Sequence, residues 1–167
     1  RLLDQAVTAF KNAIALRPDL APILVELGDT YFSMGELDKA QQVLNSALTL
    51  DPDNPAALYA LGRCQLELGQ VAEARTNLEK AARINRRLPK IDYYLGLAYG
   101  KNNQLVDAHY HFGVYYRRKG SLRNAQFHFQ EALRLTDDPK EKEILNKELE
   151  QIKGAMRAAK QNSSRFQ

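Results

Sequence analysis

Few side chains in this chain could do chemistry. They are three histidines, one cysteine and scattered carboxylates. His109 and His111 are two residues apart on a predicted helix, so they point to different sides and cannot easily ligate one metal. His111 and His128 could meet across neighbouring helices, but no carboxylate or thiol is beside them in sequence. They read as wall residues of an amphipathic helix or as half-buried, hydrogen-bonded groups, and no metal site is assigned. Cys64 follows Gly62-Arg63 on a predicted helix with no base near it in sequence. It reads as a small buried hydrophobe rather than a nucleophile. As the only cysteine it rules out an internal disulfide and a cysteine-based zinc site. HExxH, P-loop, GxSxG and GxGxxG patterns are all missing. No catalytic residue and no cofactor is therefore assigned, and the chain is not read as an enzyme.

Composition bounds what could position such groups. The chain has 167 residues, 44% hydrophobic and 26% charged, which is the balance of a globular domain. No apolar run reaches the roughly 18 residues a membrane helix needs. With only 6 Pro and 9 Gly, a turn-rich all-β domain is not expected. The opening Arg1-Leu2-Leu3-Asp4 reads as the middle of a helix and so as a piece of a longer protein. Charge is uneven. Residues 1–85 hold 8 Lys/Arg and 11 Asp/Glu, whereas residues 86–167 hold 16 and 9. Such asymmetry suits either a solvated helical surface or an anionic partner. Lys and Arg alternate with Glu over 140–153, so no nucleic acid is expected as a partner.

A repeat organises the rest. Leu27-Gly28 recurs as Leu61-Gly62 and Leu95-Gly96, each step 34 residues. Ala40, Ala74 and Ala108 share the period, as do Leu44, Leu78 and Phe112, and Leu37, Val71 and Leu105. Gly35 and Gly69 sit where a turn needs a left-handed residue, and Pro18, Pro52 and Pro55 punctuate the joins. Gly costs about 1 kcal/mol inside a helix, so its recurrence implies close packing. The spacing predicts helices near 2–16, 20–34, 37–50, 55–68, 71–84, 89–102, 105–118, 121–136 and 139–160. Near residue 105 the pattern slips. Phe112-Gly113 repeats the Leu-Gly signature 17 residues after Leu95-Gly96, and Tyr116, Gly120, Leu122, Ala125, Phe129 and Ala132 continue that register. Helix 105–118 can therefore close one repeat and open the next. Nine of the 14 Phe and Tyr residues lie from Tyr93 to Phe129 and read mostly as core.

The period and these positions resemble the tetratricopeptide repeat (TPR) over about residues 4–136. The resemblance implies an all-α fold, a right-handed α-solenoid of helix-turn-helix repeats with a C-terminal capping helix. One solenoid then spans 1–160. It comprises a half repeat at 1–18, repeats at 21–54, 55–88 and 89–119, a register-shifted repeat at 105–136 and a cap at 138–160. Residues 161–167 read as a flexible tail. Leu2, Leu3, Val7 and Phe10 are expected to expose apolar surface, which opens a dimer through the N-terminal helix as a possibility. Leu145, Leu149, Ile152, Met156 and Ala159 form a single stripe, which fits a cap, with a short coiled-coil seam as the rival.

The family's groove positions map onto Val25, Asp29 and Phe32, then Tyr59, Arg63 and Leu66, then Tyr93, Leu97 and Lys101. The implied partner is a protein or peptide, with tyrosines as anchors. A carboxylate clamp needs Lys and Asn at the positions of Val25 and Asp29, and neither is there. Residues 93–133, from Tyr93-Tyr94-Leu95-Gly96 through Ala108-His109 and Tyr115-Tyr116 to Phe127-His128-Phe129, are similar to the TPR tail of bacterial zinc metalloproteases of the BepA type. That resemblance implies a periplasmic setting and a parent protein with its own catalytic domain, while the residues themselves leave the cytoplasm open. The alternative is a stand-alone TPR scaffold for a multiprotein complex.

Overall fold

The computed structural model describes residues 2–88 and 90–164. Among them there is no strand, and nine helices follow in order: α1 (Leu2–Leu16), α2 (Ala21–Ser33), α3 (Leu37–Leu50), α4 (Pro55–Glu67), α5 (Val71–Ile84), α6 (Ile91–Lys101), α7 (Leu105–Arg118), α8 (Leu122–Leu135) and α9 (Pro139–Ser164). The starts of α4 and α9 follow local chemistry. Asn54 caps α4, its side-chain oxygen accepting from the Ala56 and Ala57 amides at 3.1 and 3.0 Å, with Pro55 in the first turn. Asp138 caps α9 by accepting from the Lys140 amide at 2.8 Å. Between helices, Gly69 turns the chain at φ 76°, and Asn103 does the same at φ 59° one repeat later. Asn tolerates that region better than most residues, and its role had no glycine to announce it.

The chain forms two compact units, Arg1–Ile91 and Asp92–Gln167. In the first, α2 pairs with α3 and α4 with α5 around Leu24, Leu27, Tyr31, Leu44, Ala47, Leu61 and Cys64. Gly62 lets α4 approach α5 so closely that a Cβ there would lie 2.6 Å from Leu78 Cγ and 3.2 Å from the Ala74 carbonyl oxygen. In the second unit the core is Val114, Ala125, Phe129, Ala132, Leu145, Leu149 and Ile152. The doubled signature of α7 is explained there. Phe112 packs onto Gly96 of α6, while Gly113 on the same helix receives Phe129 of α8. One helix thus uses two faces in two pairings.

Three expectations need correction. Val7 and Phe10 pack partly buried against the first unit's core, whereas Leu2 and Leu3 are exposed as expected, and Leu16 is exposed as well. The aromatic run is mostly half-buried. Phe129 is the fully enclosed member, and Phe127 is 55% exposed. Finally, α9 continues through Ser164, four residues past the expected end, because nothing in Gln161-Asn162-Ser163 breaks a helix. Residues 165–167 of the expected tail lie outside the described residues. The α9 stripe is buried at Leu145, Leu149 and Ile152, half-buried at Met156 and exposed at Ala159.

Candidate polypeptide-binding surfaces

In the first unit, the first helix of each pair contributes to one cluster. Arg63 of α4 extends its guanidinium over two rings, 4.5 Å from the Phe32 centroid and 5.4 Å from that of Tyr59. Its Nη1 lies 3.4 Å from Asp29 Oδ1 of α2. Asp29 and Arg63 occupy the same place in consecutive repeats, which is why they meet. A guanidinium over aromatic faces gains cation–π attraction from both rings. The 3.4 Å pairing is long for a hydrogen bond, so a ligand oxygen can compete for it. Burial pushes the Asp29 carboxyl above its ordinary value, and the charge of Arg63 opposes this. Four of the six mapped positions in this unit therefore come together. Val25 and Leu66 do not join them. They are 6% and 3% exposed and serve the core, because their helix faces turn toward the paired helix.

In the second unit, Tyr93 is half-buried among Tyr94, Phe112 and Tyr115, with ring centroids 5.4, 5.9 and 5.3 Å away. Leu97 is half-buried and Lys101 exposed on the same helix. The register shift that marks Phe112-Gly113 also implies groove positions on α7, at Tyr110, Val114 and Arg117, which the unshifted mapping passes over. Arg117 joins α7 to α9 through Glu148 Oε2 at 3.0 Å and Gln151 Oε1 at 3.0 Å. Tyr110 lines a pocket between the same two helices.

The histidines take different partners from those expected. His128 meets His109, not His111, with 3.0 Å between their Nδ1 atoms. Its ring stacks on Tyr116 at 5.3 Å. Burial first, and the neighbouring His109 second, hold the His128 imidazole below its ordinary value. His111 lies 3.1 Å from Asp92, an acid 2% exposed that also pairs with Arg118 at 2.7 Å. Asp92 is 19 residues from His111, so the contact had no short-range signal. It ties the start of α6 to α7. No group of three or more His, Cys, Asp or Glu among the described residues is placed to hold a metal ion. The Cys64 thiol is buried and donates to the Leu37 carbonyl at 3.3 Å. Burial raises its pKa, away from a reactive thiolate.

No curated protein sequence matches the chain. Solved structures do. The MamA protein is 22% identical with a TM-score of 0.68, covering 97% of this chain and 85% of that one. YrrB, described as a TPR protein with an unusual peptide-binding site, is 24% identical with a TM-score of 0.57, covering 75% and 74%. TTC0263, a thermophilic TPR protein of Thermus thermophilus, is 20% identical with a TM-score of 0.55, covering 88% and 90%. A TPR repeat model matches residues 28–69, and tetratricopeptide repeat models match 55–88 and 106–139. The last match follows the shifted register of α7 and α8. With these matches spanning more than half of its residues, and with paired helices packed through small residues at the family's period, the chain belongs to the tetratricopeptide repeat family.

Proposed function

We propose that the chain is a protein-interaction module that binds a polypeptide on the face formed by α2 and α4. The observation that carries this is Arg63, whose guanidinium lies over Phe32 and Tyr59 and 3.4 Å from Asp29. Such a group offers parallel N–H donors to a peptide carbonyl or carboxylate, and the two rings supply apolar contact beside it. Asp29 repels a carboxylate placed on its own side, so the ligand's acceptor approaches from the Tyr59 side. That a fold neighbour, YrrB, carries a peptide-binding site supports the ligand class. The test is affinity capture with the wild-type chain beside Arg63→Glu and Tyr59→Ala, each checked by circular dichroism for helix content. The partner is expected on the wild type and lost from both variants. Equal recovery on Arg63→Glu would exclude this face.

The narrower reading is the C-terminal TPR domain of a larger, periplasmic zinc metalloprotease. It rests on the resemblance of residues 93–133, where the half-repeat shift falls. An HExxH motif upstream in the full-length gene product would support it, and a full-length product without one would end it in favour of a scaffold. Leu2 and Leu16, 83% and 82% exposed, supply apolar surface for a dimer through α1. Sedimentation equilibrium of Leu16→Lys against the wild type separates that from a monomer.

A further inference from the structure

The pocket between α7 and α9 has no role in the preceding reading. Val106, Tyr110, Ile144 and Leu145 give it apolar walls, and Asp107 and Glu141 complete its lining. Its volume is about 220 Å³, below the roughly 300–1,000 Å³ of typical small-molecule sites. It suits one large apolar side chain rather than a metabolite. Leu145 is buried, whereas Ile144 is 51% exposed, so the apolar surface is open to an incoming group. Among the described lining residues both charged ones are acids, with no Lys or Arg. Each acid stands in the first turn of its helix, at the positive end of the helix dipole. The Thr136 hydroxyl donates to Glu141 and fixes it.

We propose that this pocket takes the apolar anchor side chain of a partner polypeptide whose flanking residues are Lys or Arg. The proposal rests on the reading of the chain as a polypeptide-binding module but not on the Arg63 face. Burial of the anchor supplies affinity, and the two carboxylates select the flanks by attraction to a base and repulsion of an acid.

The probes are short blocked peptides with a central Leu flanked by Lys, Ser or Glu, and the Lys-flanked peptide with its Leu replaced by Ser. Binding to the full chain is read by fluorescence anisotropy at low and high salt. The Lys-flanked Leu peptide is expected to bind at least about tenfold more tightly than the Glu-flanked one at low salt, with the difference shrinking as salt rises. Loss of the Leu is expected to abolish binding. Ile144→Lys, at an exposed position that should leave the fold intact by circular dichroism, should weaken the Lys-flanked peptide at least tenfold. Asp107→Asn with Glu141→Gln should erase the flank preference, while Glu141→Gln keeps an acceptor for Thr136. Equal affinity across the flanks, binding without the Leu, no binding of any peptide, or binding unmoved by Ile144→Lys would overturn the proposal. Arg63→Glu should bind these peptides like the wild type. If it loses the captured partner while no peptide binds, the pocket proposal fails and the Arg63 reading stands. If instead the peptides bind as expected and Arg63→Glu keeps the captured partner, the pocket stands and the Arg63 face fails.

Discussion

His128 shows how neighbours decide the behaviour of one residue. Its ring faces His109 at 3.0 Å, packs between Phe112 and Tyr116, and lies one turn from Glu131 on its own helix. One Nδ1 must donate and the other accept, so at least one ring has to be neutral. Since burial lowers the His128 pKa in the folded state, the unfolded chain binds more protons in the window just below the usual histidine value. Stability therefore rises with pH across that window and is lost as pH falls through it. The melting temperature of the wild type should drop between about pH 7 and pH 5. His128→Gln should flatten that part of the profile, and an unchanged slope would show that His128 does not titrate as described. The same scale explains Asp29 and Arg63. Their ion pair is partly exposed and worth at most about 1 kcal/mol, so it adds little to holding α2 on α4.

At the scale of the helix, small residues set how near two helices come. Gly62 and Gly154 form a controlled comparison, because both are helical. A Cβ at 62 meets fully buried Leu78 and a backbone oxygen, whereas a Cβ at 154 meets nothing within 4 Å. Gly62→Ala is expected to destabilise by about 1–3 kcal/mol through overpacking. Gly154→Ala is expected to stabilise by up to about 1 kcal/mol through helix propensity. Urea melts of the two variants check both signs, and a stabilised Gly62→Ala would mean that α4 and α5 can separate freely. The close approach also accounts for α7. Having Phe112 and Gly113 side by side in sequence places a large residue toward α6 and a small one toward α8, so a single helix satisfies two neighbours.

For the whole molecule, the two units carry separate cores, one around Leu44 and Leu61, the other around Phe129 and Leu145. Repeat proteins gain stability from each repeat and its nearest neighbours. Leu44→Ala should therefore cost about 2–5 kcal/mol and raise amide exchange in α2, α3 and α4. Protection in α8 and α9 should change little, as read by hydrogen-exchange mass spectrometry. Equal loss of protection through α9 would instead show global cooperativity. The division also places the two proposed binding surfaces in different units, one around Arg63 and one around Tyr110.

The helix order and most boundaries were legible because the 34-residue recurrence of Leu-Gly, Ala and turn Gly reports packing constraints that repeat identically. Asp29, Phe32, Tyr59 and Arg63 were legible as neighbours for the same reason: equivalent positions in stacked repeats adjoin. Val25 and Leu66 were misplaced, since a period assigns a position to a helix face but not the depth to which a neighbour covers it. Tyr110 and Arg117 could have been found by carrying the shifted register onto α7. The His109–His128 and Asp92–His111 contacts and the α7–α9 pocket could not. They depend on which side chains face one another across packed helices, and only tertiary packing brings those groups within hydrogen-bonding distance or leaves a gap between them. The chain alone determined a repeating helical fold and its most repetitive surface; packing decided which of its titratable groups are buried, paired or open to a partner.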